Sequence, residues 1–182
     1  MKKIVLFAFS LLIISAGVNA QKMNTVKTDL FSAFLRTGVF KYERALNENM
    51  SAQVGFFYTG FTPKDSQAKL NGFGITPEFR YYLSSTPAPN GTYLAPNFRY
   101  MSVTVSDPDP IDGGEGTLTS LGFAINLGKQ VVLKDVFVID AWVGPVYAFR
   151  SVSASAAGVD TGPLPEVNGF GVRLGIAIGI AF

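Results

Sequence analysis

The segment from Gly169 to Phe182, GFGVRLGIAIGIAF, constrains the fold more than any other part of the chain. Alternate side chains of a β-strand point to opposite faces of a sheet. One face of this segment is entirely large and apolar, and it consists of Phe170, Val172, Leu174, Ile176, Ile178, Ile180 and Phe182. The other face is glycine and alanine with a single charge, Arg173. This combination is typical of a narrow transmembrane β-barrel, in which the apolar face meets lipid and the small residues line a crowded lumen.

Residues 1–20 have the organisation of a cleavable secretory signal peptide. Lys2 and Lys3 supply a positive start, residues 4–14 form an apolar core, and residues 18–20 match a small-x-small cleavage site. The apolar core is too short to span a bilayer comfortably as a helix. We therefore predict an exported protein in which residues 21–182 form one domain.

The composition argues against several classes of function. The chain has no His and no Cys, so it lacks the usual general base, the commonest metal ligand and any disulfide. Loss of Lys2 and Lys3 with the signal peptide leaves 13 basic and 13 acidic residues. No surplus of positive charge then favours nucleic acid as a partner. We predict a protein that is not an enzyme and that uses no metal and no cofactor.

The spacing of apolar and turn-forming residues predicts strands rather than membrane helices. The mean hydropathy is +0.28, yet no apolar run after residue 20 approaches the roughly 20 residues that a membrane helix needs. Eight strand candidates occupy residues 24–34, 37–46, 50–60, 72–83, 92–105, 117–128, 135–149 and 169–182. An even number of hairpin-connected strands closes without free edges. We predict an all-β, eight-stranded antiparallel up-and-down transmembrane barrel, with short periplasmic turns at 45–50, 84–91 and 128–135 and longer outward loops at 62–71, 106–116 and 153–168.

Charged residues inside the strand candidates indicate which face is the lumen. They alternate with apolar neighbours at Lys27, Asp29, Lys41, Glu43, Glu78, Arg80, Arg99, Asp140 and Arg173. A basic residue that faces lipid near the midplane costs roughly 2–4 kcal/mol, and nine such charges would exceed the whole stability of an ordinary domain. We therefore predict that these side chains face inward and form ion-pair networks. Because the side chains of the barrel itself fill so narrow a lumen, we expect little ion conductance.

Two further patterns predict details of the barrel. Residues 76–83 and 95–102 share a P-x-F-R-Y core, with a weaker copy at 144–150. Proline inside a strand removes a ladder hydrogen bond, so we expect local bulges or bends near the rim at these places. Tyrosines near the strand ends predict aromatic girdles, which would be formed by Tyr58, Tyr81, Tyr93, Tyr100 and Tyr147.

The acidic residues could have a chemical role, in calcium binding or in catalysis, or a purely structural one. The segment 106–116 carries several acids and faintly resembles a calcium loop, but its spacing is not that of an EF-hand, and a solvated loop is favoured. Glu43, Glu78 or Asp140 could serve in carboxylate catalysis. A lattice of ion pairs within the lumen is the favoured interpretation of those three.

Three segments carry a resemblance to small outer-membrane β-barrel proteins of the OmpA/OmpX-like type, and to an uncharacterised Bacteroidetes family among them. They are NTVKTDLFSAFL followed by VFKYERAL in Asn24–Leu46, the stretch Gly144–Tyr147, and the final GIAIGIAF. The resemblance implies an outer-membrane location, contact with outer-membrane lipids and lipopolysaccharide, and recognition by the barrel-assembly machinery. It also implies that the assembly signal consists of Ile176, Ile178, Ile180 and Phe182. It brings no catalytic residues.

The resulting expectation is a non-enzymatic outer-membrane protein with a structural role or a binding or adhesion role carried by its loops. One alternative is a lipid-modifying outer-membrane enzyme, against which the lack of His argues. Another is a soluble lipocalin-like barrel, whose apolar face would lie inside and bind a lipid. A narrow transporter component ranks below these.

Overall fold

A computed structural model describes residues 23–34, 36–62, 68–107, 114–156, 159–164 and 168–182. These residues form a closed antiparallel β-barrel of eight strands in up-and-down order. The predicted all-β class, strand number and topology are therefore confirmed. The segment 1–20, where a signal peptide is predicted, lies outside the described residues. No helix in the described ranges is long and apolar enough to cross a membrane.

The barrel is built by pairing strands that are neighbours in the sequence. Its strands are β1 (Asn24–Asp29), β2 (Thr37–Asn47), β3 (Met50–Phe61), β4 (Lys69–Tyr82), β5 (Gly91–Ser106), β6 (Gly114–Leu133), β7 (Phe137–Ala156) and β9 (Gly169–Ala181). A short helix, α1 (Leu30–Phe34), follows β1, and an additional strand, β8 (Val159–Leu164), pairs with the far end of β7. The ring closes where β1 pairs with β9, from Thr25 opposite Ala181 to Asp29 opposite Ala177.

The first predicted strand is wrong beyond Asp29. The chain turns there into α1, where the Ser32 hydroxyl donates a hydrogen bond of 2.7 Å to the Asp29 carbonyl. A short apolar run such as Leu30–Phe34 fits a helical turn as well as a strand, so its periodicity alone could not decide.

The predicted turn at 128–135 is also wrong, because β6 continues to Leu133. Lys134 and Asp135 make the actual turn, and both have positive φ, at 50° and 57°. The predicted outward loop at 153–168 likewise contains the end of β7 and the whole of β8. Residues 108–113 of the acidic segment lie outside the described residues.

The prolines interrupt ladders without bulges, which corrects the predicted bulges near the rim. Pro77 and Pro96 each lie in a short gap of the β4–β5 ladder, and Pro145 lies in a similar gap of the β6–β7 ladder. The register is the same on both sides of each gap, while each proline stays paired with its other neighbouring strand. Proline lacks a backbone N–H, so it loses hydrogen bonds toward one neighbouring strand only. The strand therefore keeps its register without the extra residue that a bulge inserts.

The two faces of the barrel wall differ sharply in chemistry. Large apolar side chains stand exposed around the outside, and they include Phe73, Phe79, Phe123, Ile125, Leu127, Phe137, Ile139, Val143, Phe170, Val172, Leu174, Ile178 and Ile180. Polar side chains fill the inside, where Lys27, Glu43 and Arg80 are at most 1% exposed. This distribution is the reverse of the one expected for a soluble domain. Tyr58 and Tyr81 lie outside, but Tyr93 is fully buried, so its predicted place in an aromatic girdle is wrong.

Candidate functional site

The half of the interior beside the short turns is filled by a connected set of buried polar side chains, which we call the polar network. Its members are Thr25, Lys27, Glu43, Ser51, Glu78, Arg80, Tyr82, Tyr93, Gln130 and Asp140. They come from every barrel strand from β1 to β7. The network therefore links seven strands across the lumen.

Arg80 is the centre of the polar network. Its guanidinium reaches Glu78 at 2.6 Å through Nε, Glu43 at 3.4 Å through Nη1 and Asp140 at 2.9 Å through Nη2. Nη1 also donates to the Gln130 amide oxygen at 3.0 Å, and the guanidinium lies 4.2 Å from the centre of the Tyr93 ring. Each of its three nitrogen atoms thus donates to at least one partner that is itself buried.

The other members of the polar network pair with the buried carboxylates or donate hydrogen bonds to them. Lys27 Nζ lies 2.6 Å from Glu43 and 3.0 Å from Asp140, so one ammonium bridges two acids. Tyr82 donates its hydroxyl proton to Glu43, and Tyr93 donates to Asp140, both at 2.7 Å. A buried charge is tolerated only when it is paired and hydrogen-bonded in this way. Because Glu43 and Asp140 are held by cations and donors, their arrangement favours the structural reading over catalysis.

The bare face of β9 makes room for this network. A Cβ atom on Gly179 would overlap the Val26 carbonyl oxygen and lie 2.8 Å from the Lys27 Cα. Ala177 and Ala181 on the same face are almost completely buried. The small residues that stand out in the sequence therefore leave the space that Lys27 occupies.

A second, separate pair lies farther along the lumen. Lys41 Nζ contacts Asp29 at 2.7 Å and lies 3.6 Å from the centre of the Trp142 ring. The Trp142 ring lies against Gly175, where a Cβ atom would overlap it. The Lys41–Asp29 pair and the Trp142 indole lie between the polar network and the more open half of the interior, and they line the cavities there.

Arg99 and Arg173 differ from the other predicted lumenal charges. Neither forms an ion pair within 4.0 Å of any described acidic residue. Arg99 Nε and Arg173 Nη1 are buried and have no hydrogen-bond partner in the described part of the chain. Among the described residues, these two arginines therefore join no ion-pair network, which corrects the prediction for them: Asp29 and Glu78 line the same cavity but lie beyond ion-pair distance.

Two adjacent cavities, which share several lining residues, lie on this side of the polar network. The inner one, of about 60 Å³, is lined by polar groups that include Asp29, Lys41, Gln53, Glu78, Arg99, Asn126 and Arg173. The outer one, of about 470 Å³, leads toward the end of the barrel where the longer connections lie. Its lining is mainly apolar and includes Phe31, Phe57, Phe61, Leu70, Met101 and Val103. Arg99 and Trp142 line both cavities.

Sequence reasoning named nine charged members of the interior but missed Arg150, which lies opposite the buried Ser120, and several neutral ones. Gln130 was missed because residues 128–135 were assigned to a turn, although the alternation of Ala124, Asn126 and Gly128 continues to it. Tyr93 was missed because a tyrosine near a strand end resembles a girdle residue. Among the described residues, no group of His, Cys, Asp or Glu is arranged to hold a metal ion.

Fold and interior together define a small closed antiparallel barrel with a polar network inside, a cavity at one end and an apolar outer surface. The chain belongs to DUF3575, described as a protein family of unknown function, whose profile matches residues 5–155. No curated protein and no solved structure matches the chain.

Proposed function

We propose that this protein is a non-enzymatic barrel of the bacterial outer membrane, exported through a cleaved signal peptide, that stabilises the envelope or binds a ligand at its outward end. One observation carries the proposal: large apolar side chains cover the outside of the wall, while charged side chains fill the inside. Such an arrangement is stable when lipid, rather than water, surrounds the barrel.

The length of the strands supports the same proposal. The strands β2 and β4 have 11 and 14 residues, which at the usual rise and tilt span roughly 30 Å, close to the hydrocarbon thickness of a bilayer. A lipocalin-like barrel would need the opposite sidedness, with apolar residues lining its cavity. The buried Lys27, Glu43 and Arg80 argue against that alternative.

The interior supports a structural or binding role rather than conduction or catalysis. The polar network fills one half of the lumen, so we propose that ions do not pass freely. Its carboxylates are engaged by Lys27 and Arg80, and the chain has no His to act as a general base. The proposed partners are outer-membrane lipids and lipopolysaccharide around the wall, and the barrel-assembly machinery during biogenesis.

Membrane fractionation tests this proposal directly. We expect the expressed protein to sediment with outer membranes and to leave them only in detergent, because the exposed apolar wall is insoluble in water. We also expect the unheated protein to migrate differently from the boiled protein on a gel, since a closed barrel resists unfolding. Recovery in plain buffer after export would contradict the proposal.

Phe182 is the proposed end of the assembly signal formed with Ile176, Ile178 and Ile180. Its backbone exchanges two hydrogen bonds with Asn24, of 3.1 and 2.9 Å, and these do not depend on the side chain. We therefore expect Phe182→Ala to lower the amount of outer-membrane barrel several-fold without weakening barrel that has already folded.

The matched control for that variant is Phe137→Ala. Phe137 is an exposed aromatic residue opposite Ile180 in the neighbouring strand, but it lies outside the proposed signal. Outer-membrane level by gel-shift assay is the measurement. Equal levels for wild type and Phe182→Ala would remove Phe182 from the proposed signal.

A further inference from the structure

The charges of the described interior do not balance. Apart from Arg150, which is half-buried toward the outer end of β7, nine charged side chains face inward, five cationic and four anionic, and all of the anions have cationic partners. Of these nine, Arg99 and Arg173 are the two cations without an ion pair to a described residue. Their like charges repel each other, and the attraction from Glu78 to Arg173 and from Asp29 to both arginines acts from beyond ion-pair distance. These nine charges therefore sum to one excess positive charge, and the two unpaired arginines both lie beside the inner cavity.

The unused donors of these arginines point to an anion. Arg99 Nε and Arg173 Nη1 are buried without hydrogen-bond partners among the described residues, and leaving a buried charged donor unpaired is costly. The inner cavity that both residues line measures about 60 Å³, which is room for a few water molecules or one small head group. A single negative charge there would balance these nine side chains and accept hydrogen bonds from both guanidiniums.

The outer cavity lies next to the inner one, with Arg99 and Trp142 in both linings, and has different chemistry. Its volume of about 470 Å³ is lined by Phe57, Phe61, Leu70, Met101 and Val103 among others. Apolar surface of this kind gains by leaving water, so it favours a hydrocarbon chain. A small anionic site at the end of a larger apolar cavity matches a molecule with a charged head and an apolar tail.

We propose that the cavity of this barrel binds a fatty acid, with its carboxylate between Arg99 and Arg173 and its acyl chain in the outer cavity. A carboxylate carries the one negative charge that these nine side chains lack, whereas a phosphate monoester carries more. Its two oxygens accept hydrogen bonds from guanidinium groups in good geometry. The unpaired amide oxygens of Gln53 and Asn126 beside the head group then bond to water retained in the inner cavity.

The chain contains a natural fluorescent probe of ligand binding at this site. Trp142 is the only tryptophan of the chain and lines both cavities. We would titrate the folded barrel in a non-ionic detergent with bromododecanoate, whose bromine quenches indole fluorescence on contact. The expected result is saturable quenching that unlabelled dodecanoate reverses. Bromododecanol has the same chain without the charge, and we expect its Kd from the same quenching titration to be about tenfold higher or more.

Variants separate the head-group site from nonspecific uptake. Arg99→Gln and Arg173→Gln should each weaken bromododecanoate binding about tenfold or more, since a hydrogen bond to a charged group is lost. The matched control is Arg44→Gln, which removes the same charge from an exposed position on β2, and it should bind like wild type. A normal gel shift for each variant shows that the barrel has folded.

Three results would overturn the fatty-acid proposal. They are quenching that does not saturate, equal binding by both arginine variants and wild type, and displacement of bromododecanoate by acetate as effectively as by dodecanoate. The last would indicate a site for small anions with no use of the apolar cavity. None of them bears on the membrane proposal, which depends on fractionation and gel mobility.

Discussion

Arg80→Met should leave the barrel unable to fold stably. The substitution leaves Glu43 and Asp140 with Lys27 as their remaining cationic partner, and it leaves Glu78 with no ion pair to any described residue. Removing one member of a buried ion pair costs about 3–5 kcal/mol, and here a single guanidinium serves three carboxylates. Against a total stability of about 5–15 kcal/mol for an ordinary domain, we expect little folded protein. The urea midpoint of unfolding, followed by gel mobility and Trp142 fluorescence, measures the effect.

Arg99→Met provides the matched control. It removes the same charged group from the same lumen, but Arg99 has no ion pair with a described residue and is repelled by Arg173. The urea midpoint of this variant should therefore stay at or above that of wild type. If both variants lower the midpoint equally, the distinction between the paired and the unpaired arginines is wrong.

Gly179→Val should prevent closure of the barrel between its first and last strands. The added Cβ atom would overlap the Val26 carbonyl oxygen and crowd the Lys27 Cα. Both are backbone atoms of β1, which pairs with β9 at this point, so a change of rotamer cannot relieve the clash. Inserting bulk into a well-packed interior usually costs about 1–3 kcal/mol, and a clash with the closing seam should exceed that. We expect loss of the folded, faster-migrating form on a gel.

Gly169→Val is the control for this prediction. Gly169 lies on β9, on the same face of the strand, and no described residue other than its chain neighbours lies within 4 Å of the Cβ atom it would gain. The variant should fold and shift like wild type. Normal folding of Gly179→Val would mean that β1 and β9 are not held at the register in which Val26 faces Ile180.

The fold was largely predictable because its constraints are periodic. Alternation with a period of two placed Lys27, Glu43 and Arg80 on one face and Phe123 and Ile139 on the other, and the structure shows the same separation. The ends of elements were not predictable in the same way. Lys134 and Asp135 form their turn through positive φ values, which no local apolar pattern records.

The sequence predicts which residues face the interior, but not which of them contact each other. The sequence placed Arg80, Arg99 and Arg173 on the inner face, yet nothing in it distinguishes an arginine that meets three carboxylates from one that meets none. That difference depends on which strands face each other across the lumen. Gly175 illustrates the point, since its missing side chain admits the Trp142 ring of the neighbouring strand.

The central claim, that lipid surrounds the apolar wall, can be tested by nitroxide scanning, for which the absence of Cys makes single-cysteine variants straightforward. Labels would replace Phe123, Ile139 and Leu174 on the outer wall, and Asn49 and Asp135 in exposed turns. In vesicles, we predict that the three wall labels relax strongly with oxygen and weakly with a water-soluble nickel complex, while the two turn labels do the reverse. Nickel access at Leu174 as great as at Asn49 would contradict the claim that lipid surrounds the apolar wall.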